Sequence, residues 1–484
     1  NYDFDNLRRT MINYLRDNYP EDFNDYTESS EYIALVDLIA YLGQNIAFRI
    51  DLNARENFLE LAERRESIQR LARLINYNPK RNIAAKGMLK ISAISTTEDI
   101  LDSNNINLRD QTIEWNDPTN PNWYEQFIKV LNRAFTQNEN FGNPIQKATI
   151  DNVPTERYRI RTNLDNSVPI FPFTRAIDGN SLKCEIISTT IGSTIIEEAP
   201  LPGNNFSIVY RNDSQGAGSA NTGFFSMFKQ GTLDQGTFNV ANPISNQIVS
   251  IDASNINNED IWLYSLNDDR TFNTLWTKVN AVQGNNVIYN SVSKNIRNIY
   301  TVLTRIDDRI SVVFSDGVFG NLPYGNFQIY FRSSRNDNIV ITPRDLTGVA
   351  ITIPYTSRTG KLETLNLTYE LNYTVNNAVP SESNISIKQN APAVYYTQNR
   401  LITAEDYQIG LLNVNQEIVK TKSVNRIFSG ISRYFDLTDA TGKYSKTNLF
   451  GTDGILYREN TLDNSNFTFQ TKTDIEGVIV NTIE

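Results

Sequence analysis

The sequence predicts an α+β, multidomain protein: an N-terminal helical bundle segment, then mainly antiparallel β domains, then a C-terminal α+β domain. Three observations predict it. The hydrophobic period is helical over residues 1–78 and shifts toward two from Ile83 onward. Tyr (24) and Phe (24) far outnumber Met (3) and Trp (4), a bias that suits half-buried pleated surfaces. Asn recurs throughout, and its tolerance of the left-handed region suits many turns. The 484 residues also exceed a single core, which stops growing at roughly 250–300 residues. The expected divisions are a helical segment over 1–82 and a β-rich middle over 83–304, with an inserted β domain at about 167–300. A further β domain follows over 305–389. The C-terminal α+β domain, 390–484, ends in strand-like text with room for more sequence to follow.

The first 78 residues read as helix, turn, long helix, helix. The segment 4–18 is mildly amphipathic and stops before Pro20. Ser29 or Ser30 can cap a helix over about 31–51. There Asp37, Gln44 and Asp51 recur every seven residues as a narrow polar stripe, and Tyr32, Leu35, Val36, Ile39, Leu42, Ile46 and Ile50 cover most of the rest. A helix apolar over most of its circumference is buried on more than one side. A third helix is expected over about 54–76, with Phe58 and Leu61 on a single apolar stripe and Glu60–Arg64 and Glu66–Arg70 as acid-first i,i+4 pairs. These apolar residues are the candidate interface with other chains.

Composition removes several function classes. The net charge is −10 with a pI of about 4.9 and no basic run, so the phosphate-neutralising footprint of a nucleic-acid binder is missing. The chain has no His, which excludes Ser/His/Asp and Cys/His catalysis and His-ligated metals. Cys184 is the only cysteine, so no internal disulfide forms and a reducing cytoplasm is expected; its strand-like setting reads as a packed thiol. Asn1 to Asp5 has neither a basic nor an apolar run, so no signal peptide is expected. The charged residues within 32–50 argue against membrane insertion.

The middle of the chain carries no catalytic constellation. A short helix is expected from Trp123 to Phe135, and short strands around 190–196 and 205–211. The Gly-rich stretch 212–223 lacks the ending of a phosphate loop. The pairs Glu197-Glu198, Asp268-Asp269 and Asp307-Asp308 point to opposite strand faces and read as solvated turns. No catalytic residue, metal ligand or cofactor is expected.

Two stretches carry most information. In 310–332, Ile310, Val312 and Phe314 alternate with Ser311 and Val313, turn clusters follow, and Phe327, Ile329 and Phe331 alternate again. This predicts a β-hairpin with an elaborated tip, in which Gly317, Gly320 and Gly325 supply φ > 0. In 390–407, an extended segment is expected to feed a helix that starts at about Ala404, with Thr403 and Asp406 as its capping box. Residues 418–426 and 475–479 read as strands; Lys420, Lys422 and Arg426 mark the first as a guarded edge suited to an acidic surface of a sister copy.

These stretches resemble the baseplate J-like family of contractile-tail proteins. That family carries Phe-x-Asp-Gly-x-x-Gly-x-x-Pro-x-x-Gly, matched with one-residue shifts by Phe314, Asp316, Gly317, Gly320, Pro323 and Gly325. It follows this with Asn-Ala-Pro, Gln-x-Arg and Thr-x-Glu-Asp-Tyr, here Asn390-Ala391-Pro392, Gln398, Arg400, Thr403, Glu405, Asp406 and Tyr407. The helical N-terminus is similar to that of the wedge subunit of T-even-like myophages, where it contributes to a helical core bundle. The resemblance covers 28–80 and 305–426. It implies a structural wedge subunit of the virion tail baseplate, assembled in the host bacterial cytoplasm. The implied partners are a second copy of itself, other baseplate wedge proteins, adjacent wedges, and hub or sheath-initiating proteins. Neither nucleic acid nor membrane is among them, and no enzymatic activity is expected. Two alternatives stay open: a receptor-binding adhesin or tail fibre, although no repeats are visible, and a tail-associated glycan hydrolase, whose two carboxylates need no histidine.

Overall fold

A computed structural model describes residues 3–19, 31–177, 179–279, 296–397, 400–414, 418 and 421–423. They fall into two compact units, Asn1–Arg73 with Asn78–Ile387, and Leu74–Tyr77 with Lys388–Glu484, each taken over its described residues. N-terminal helices precede many antiparallel strands and a few C-terminal helices, as the α+β reading requires.

Three helices open the chain: α1 (Phe4–Asn18), α2 (Glu31–Arg55) and α3 (Arg65–Leu74). The third helix starts later than expected. Glu56 is buried at the end of α2, and its carboxylate accepts the N–H groups of Glu63 (3.0 Å) and Arg64 (3.2 Å), which breaks the helical run across 56–64. Those donors, with the Ser67 hydroxyl first, hold its carboxyl below the usual range. α3 then buries Ser67, Ile68, Gln69 and Ala72, and Arg65 donates to the Glu382 carbonyl at 2.9 Å.

A ten-stranded antiparallel sheet forms the larger β body. In chain order its elements are β1 (Lys86–Thr96), β2 (Ile113–Glu114), helix α4 (Trp123–Ala134), β3 (Gln146–Ile150), β4 (Val153–Ile160), β5 (Ile170–Ile177) and β6 (Asn180–Ile187). A separate small hairpin, β7 (Thr189–Ile191) with β8 (Ile195–Glu197), precedes β9 (Phe206–Arg211) and β10 (Gly223–Gln230). The sheet's main path is completed much later by β18 (Val349–Thr356) and β19 (Leu362–Leu371), in the order β18-β19-β1-β10-β9-β4-β3. β6 joins β10 and carries β5 outward, while β2 pairs β1. The β3–β4 turn shows why Asn and Asp abound: Asp151 (φ 52°) and Asn152 (φ 60°) both adopt the left-handed region a two-residue hairpin loop demands. α4 lays Phe127, Val130, Leu131 and Ala134 on the same core as Leu89, Tyr158, Phe224 and Tyr369.

Between the two halves of that sheet the chain builds a second one. It holds β11 (Thr232–Val240), β12 (Ile248–Ile251), β13 (Ile256–Leu266), β14 (Phe272–Lys278), β15 (Ile299–Thr304), β16 (Ile310–Phe314) and β17 (Gly325–Ser333), in the order β11-β17-β13-β14-β15-β16-β12. Residues from both ends of this order share one core, where the Phe314 and Phe327 rings lie 5.5 Å apart, so the sheet curls over itself. The expected hairpin at 310–332 is therefore corrected. β16 pairs β15 and β12, β17 pairs β11 and β13, and the two face each other across the core. The reason is burial on both faces: every residue of β16 is buried, which an edge hairpin does not allow. The boundary expected at 304/305 falls inside this sheet, and the inserted segment is 232–333, not 167–300.

Two chain crossings and a polar seam join the sheets. At the first crossing Gly231 has φ +115°, and a Cβ there would collide with the Ser333 carbonyl oxygen of the second crossing. Arg332 (β17) meets Glu185 (β6) at 3.0 Å and Glu197 (β8) at 2.9 Å, while Lys229 (β10) meets Asp260 (β13) at 2.6 Å and Glu197 at 2.8 Å. Beside them Asn82 donates to Asn257 and Ser334, and Arg81 to Thr304. Buried charges persist only when paired like this. The Glu197 side chain (6% exposed) and Asp308 are buried, not the solvated turn residues expected; Asp268-Asp269 does sit in an exposed turn.

The C-terminal helices are α5 (Asn384–Thr397), with Pro392 inside it, and α6 (Ala404–Val414). Residues 390–397 are thus helical where an extended feeder was expected. The strand expected at 418–426 is described only at 418 and 421–423, which are not in a strand, and 475–479 lies outside the described residues.

Candidate assembly interface

At about 100° per residue, α2 divides into three rows spaced by three and four, roughly 120° apart. The first is Ile33, Val36, Ala40, Gly43 and Ala47, with Asp37 and Gln44 beside it. α1 covers this row: Ile33, Val36 and Ala40 are buried, Arg8 Nε bonds Asp37 at 2.6 Å, and a Cβ on Gly43 would meet Leu7 at 3.3 Å. The polar stripe at Asp37 and Gln44 therefore borders the covered face. α1 shields the least apolar side of the helix.

The other two rows stay open. One is Leu35, Ile39, Leu42 and Ile46, the other Leu38, Tyr41 and Phe48. Of the candidate interface residues, Leu35, Ile39, Leu42, Ile46, Ile50, Phe58 and Leu61 are 50–63% exposed. Val36 is the exception, being buried beneath α1, and the Tyr32 side chain lies outside the description. Such an apolar expanse on a folded chain marks a contact surface. Ile33–Arg55 is also long and apolar enough to cross a membrane, by length and composition.

The motif residues have different surroundings. Phe314 is fully buried against Trp276 and Phe327. Asp316 Oδ1 accepts the N–H groups of Phe319 (3.0 Å) and Val318 (2.9 Å), which lower its pKa. Gly317 and Gly325 have φ +87°. Gly320 has no positive φ; it lacks a side chain because a Cβ would sit 2.7 Å from Ile299 and 2.8 Å from Ser315. Pro323 is buried. In the other stretch, the Thr403 hydroxyl accepts the Asp406 N–H at 3.2 Å and the Asp406 carboxylate accepts the Thr403 N–H at 2.8 Å, the reciprocal box expected. Arg400 N–H bonds the Thr397 carbonyl, Glu405 and Tyr407 are exposed, and Gln398 lies outside the described residues. Cys184 is buried, which pushes its thiol up to about 12. Among the described residues no group of three or more acidic or Cys side chains has a metal-binding arrangement.

Residues 87–374 match the family model described as "Domain of unknown function (DUF8360)", which is more than half of the chain and contains both sheets. The chain belongs to this family. Residues 3–74, which hold α1 to α3, match the model described as "Bacteriophage baseplate protein, N-terminal domain". That match indicates a bacteriophage baseplate protein, a component of the virion tail that meets other baseplate proteins. The open face of α2 thus lies inside the baseplate domain. Neither description is that of the baseplate J-like family, whose likeness rests on the two motifs alone. No curated protein matches the chain.

Proposed function

We propose that this chain is a non-catalytic structural subunit of the baseplate wedge of contractile phage tails. Its N-terminal helices join wedge partners in a helical bundle, and its C-terminal region meets neighbouring wedges to close the ring around the hub. The observation that carries this reading is the three-row pattern of α2: α1 fills one row and two apolar rows remain, the arrangement of a helix with two further helical neighbours. The two sheets, joined by the buried ion pairs between them, supply the body that carries it.

The test is to co-express the full chain with the neighbouring tail proteins and weigh the products. A defined hetero-complex that contains this chain is expected. A chain that stays alone at every ratio counts against the wedge role. The competing occupant of the apolar rows is a lipid bilayer, because α2 meets the length and composition for one. Sedimentation with phosphatidylglycerol vesicles separates the two, and α2-dependent binding there would overturn the bundle.

A further inference from the structure

The larger body carries a cluster of cations at one end of α4 that no carboxylate offsets. Arg161 follows β4, and its Nη2 donates to the Arg133 carbonyl at 2.9 Å. Arg358 lies in the β18–β19 turn, and its Nη2 donates to the Asn132 carbonyl and to Asn140 Oδ1, each at 2.8 Å. Both carbonyls belong to the last turn of α4, where the helix dipole draws positive charge. The two guanidiniums are thereby held on neighbouring carbonyls. Burial, and next the Arg358 charge, lower the pKa of Arg161, so each lies in the other's field. Arg133 adds a third, exposed cation on the same turn.

The carboxylates nearby are engaged elsewhere. Glu98 accepts the Tyr355 hydroxyl at 2.7 Å, and Glu139 pairs with Arg159 at 2.8 Å. Among the described residues Arg133, Arg161 and Arg358 make no ion pair, in a chain whose net charge is −10. Capping the helix accounts for only part of this. Each of Arg161 and Arg358 spends its Nη2 on α4, and a neutral amide would supply the same bond without like-charge repulsion. Among the described residues the Nη1 groups of both have no partner, and Arg161 Nε is unpaired as well.

We propose that Arg133, Arg161 and Arg358 receive Asp or Glu side chains from an acidic segment of another protein. A guanidinium presents its N–H groups in a fork that matches a carboxylate. Arg133 and Arg358 are exposed and Arg161 is half-buried, so the cluster is open to a side chain that a protein surface presents. Three cations on an acidic chain suit one or two carboxylates. A nucleic acid or another phosphate polymer is held through many neutralised phosphates, for which this cluster is too small. The three arginines lie within residues 87–374, outside the baseplate domain of residues 3–74. They give the larger body a contact of its own, independent of the wedge reading.

The test uses the full chain with fluorescein-labelled hexaglutamate and hexaglutamine, read by anisotropy at low salt. Hexaglutamate is expected to bind about tenfold or more tighter than hexaglutamine, and added salt should release it. Arg161→Gln combined with Arg358→Gln keeps a donor for each helix carbonyl and should weaken hexaglutamate binding by about tenfold or more. Lys183→Gln removes an exposed charge on β6 and should leave that binding unchanged. Should the double variant fail to fold, Arg133→Glu replaces it, because among the described residues that side chain makes no hydrogen bond or ion pair. No binding of hexaglutamate at millimolar concentration, equal binding of hexaglutamine, or an equal loss with Lys183→Gln would overturn the proposal. So would tighter binding of labelled oligothymidylate through the same arginines, which would make the partner a phosphate polymer.

Discussion

At the scale of single residues, the buried charges between the sheets are unequal: two cations, Arg332 and Lys229, face three carboxylates, Glu185, Glu197 and Asp260. Burial raises the pKa of Asp260, yet Lys229 and Arg332 outweigh it and hold that carboxyl well below its usual range. For Glu185 burial wins over Arg332, and the pKa is raised. A carboxyl whose folded pKa exceeds its unfolded value, near ~4.3 for Glu, binds its proton first in the folded state. Its contribution is therefore present below the unfolded pKa and lost as pH rises through the folded one. Stability relative to Glu185→Gln should rise as pH falls from neutrality toward that unfolded value, measured by urea unfolding at several pH values. A flat or opposite difference would show that Glu185 stays ionised as easily in the fold as out of it. In the β16–β17 loop, Gly320→Val should cost on the order of 1–3 kcal/mol or more in the same measurement, since Ile299 and Ser315 leave no room for a side chain. The Asp316 carboxylate is occupied by its own loop, so neither calcium nor a sugar titrated against the chain should perturb it.

At the scale of elements, the two sides of α2 give opposite predictions. Ile39 lies on an open row, so Ile39→Asp should leave the melting of the isolated chain unchanged while blocking complex formation, because burying an unpaired carboxylate costs several kcal/mol, roughly 2–7 for a polar group. Val36 lies under α1, so Val36→Asp should detach α1 even in the isolated chain, seen as lost helical signal and faster proteolysis. Normal assembly by Ile39→Asp would remove this face from the interface. Much of the helical segment was legible because its hydrophobic period is a local signal. The cap expected at Ser29 or Ser30 lies outside the described residues. The Glu56 carboxylate that ends the run after α2 was not read from the sequence, since its partners lie seven and eight residues on. The strands of 310–333 were legible as strands too. Their pairing was not, because alternation reports burial on a face and is silent about which strand lies alongside.

At the scale of the whole chain, the polar seam predicts that the two sheets unfold together. Trp115 and Trp123 report on the larger body, Trp262 and Trp276 on the smaller sheet. Replacing either pair with Phe should give fluorescence transitions that coincide in denaturant; separated midpoints would show two independent domains. Chelator treatment should leave both folding and assembly unchanged, measured by melting and by size. A chelator-dependent loss of either would reveal an all-oxygen metal site.

The sequence by itself determined the succession of helices and antiparallel strands, the resemblance to contractile-tail proteins, and the apolar excess of α2. Each of these depends on residue type and near spacing, where helix period, capping and turn chemistry act within a few residues. Only the tertiary structure decided that 232–333 is one inserted sheet, that β16 and β17 oppose each other across a core, and that the Glu197 side chain is buried. These are relations between residues tens to hundreds of positions apart, and local propensity carries no term for them. The same holds for α2: its composition showed apolar residues on more than one side, but only the packing of α1 decided which row is covered and which two stay exposed.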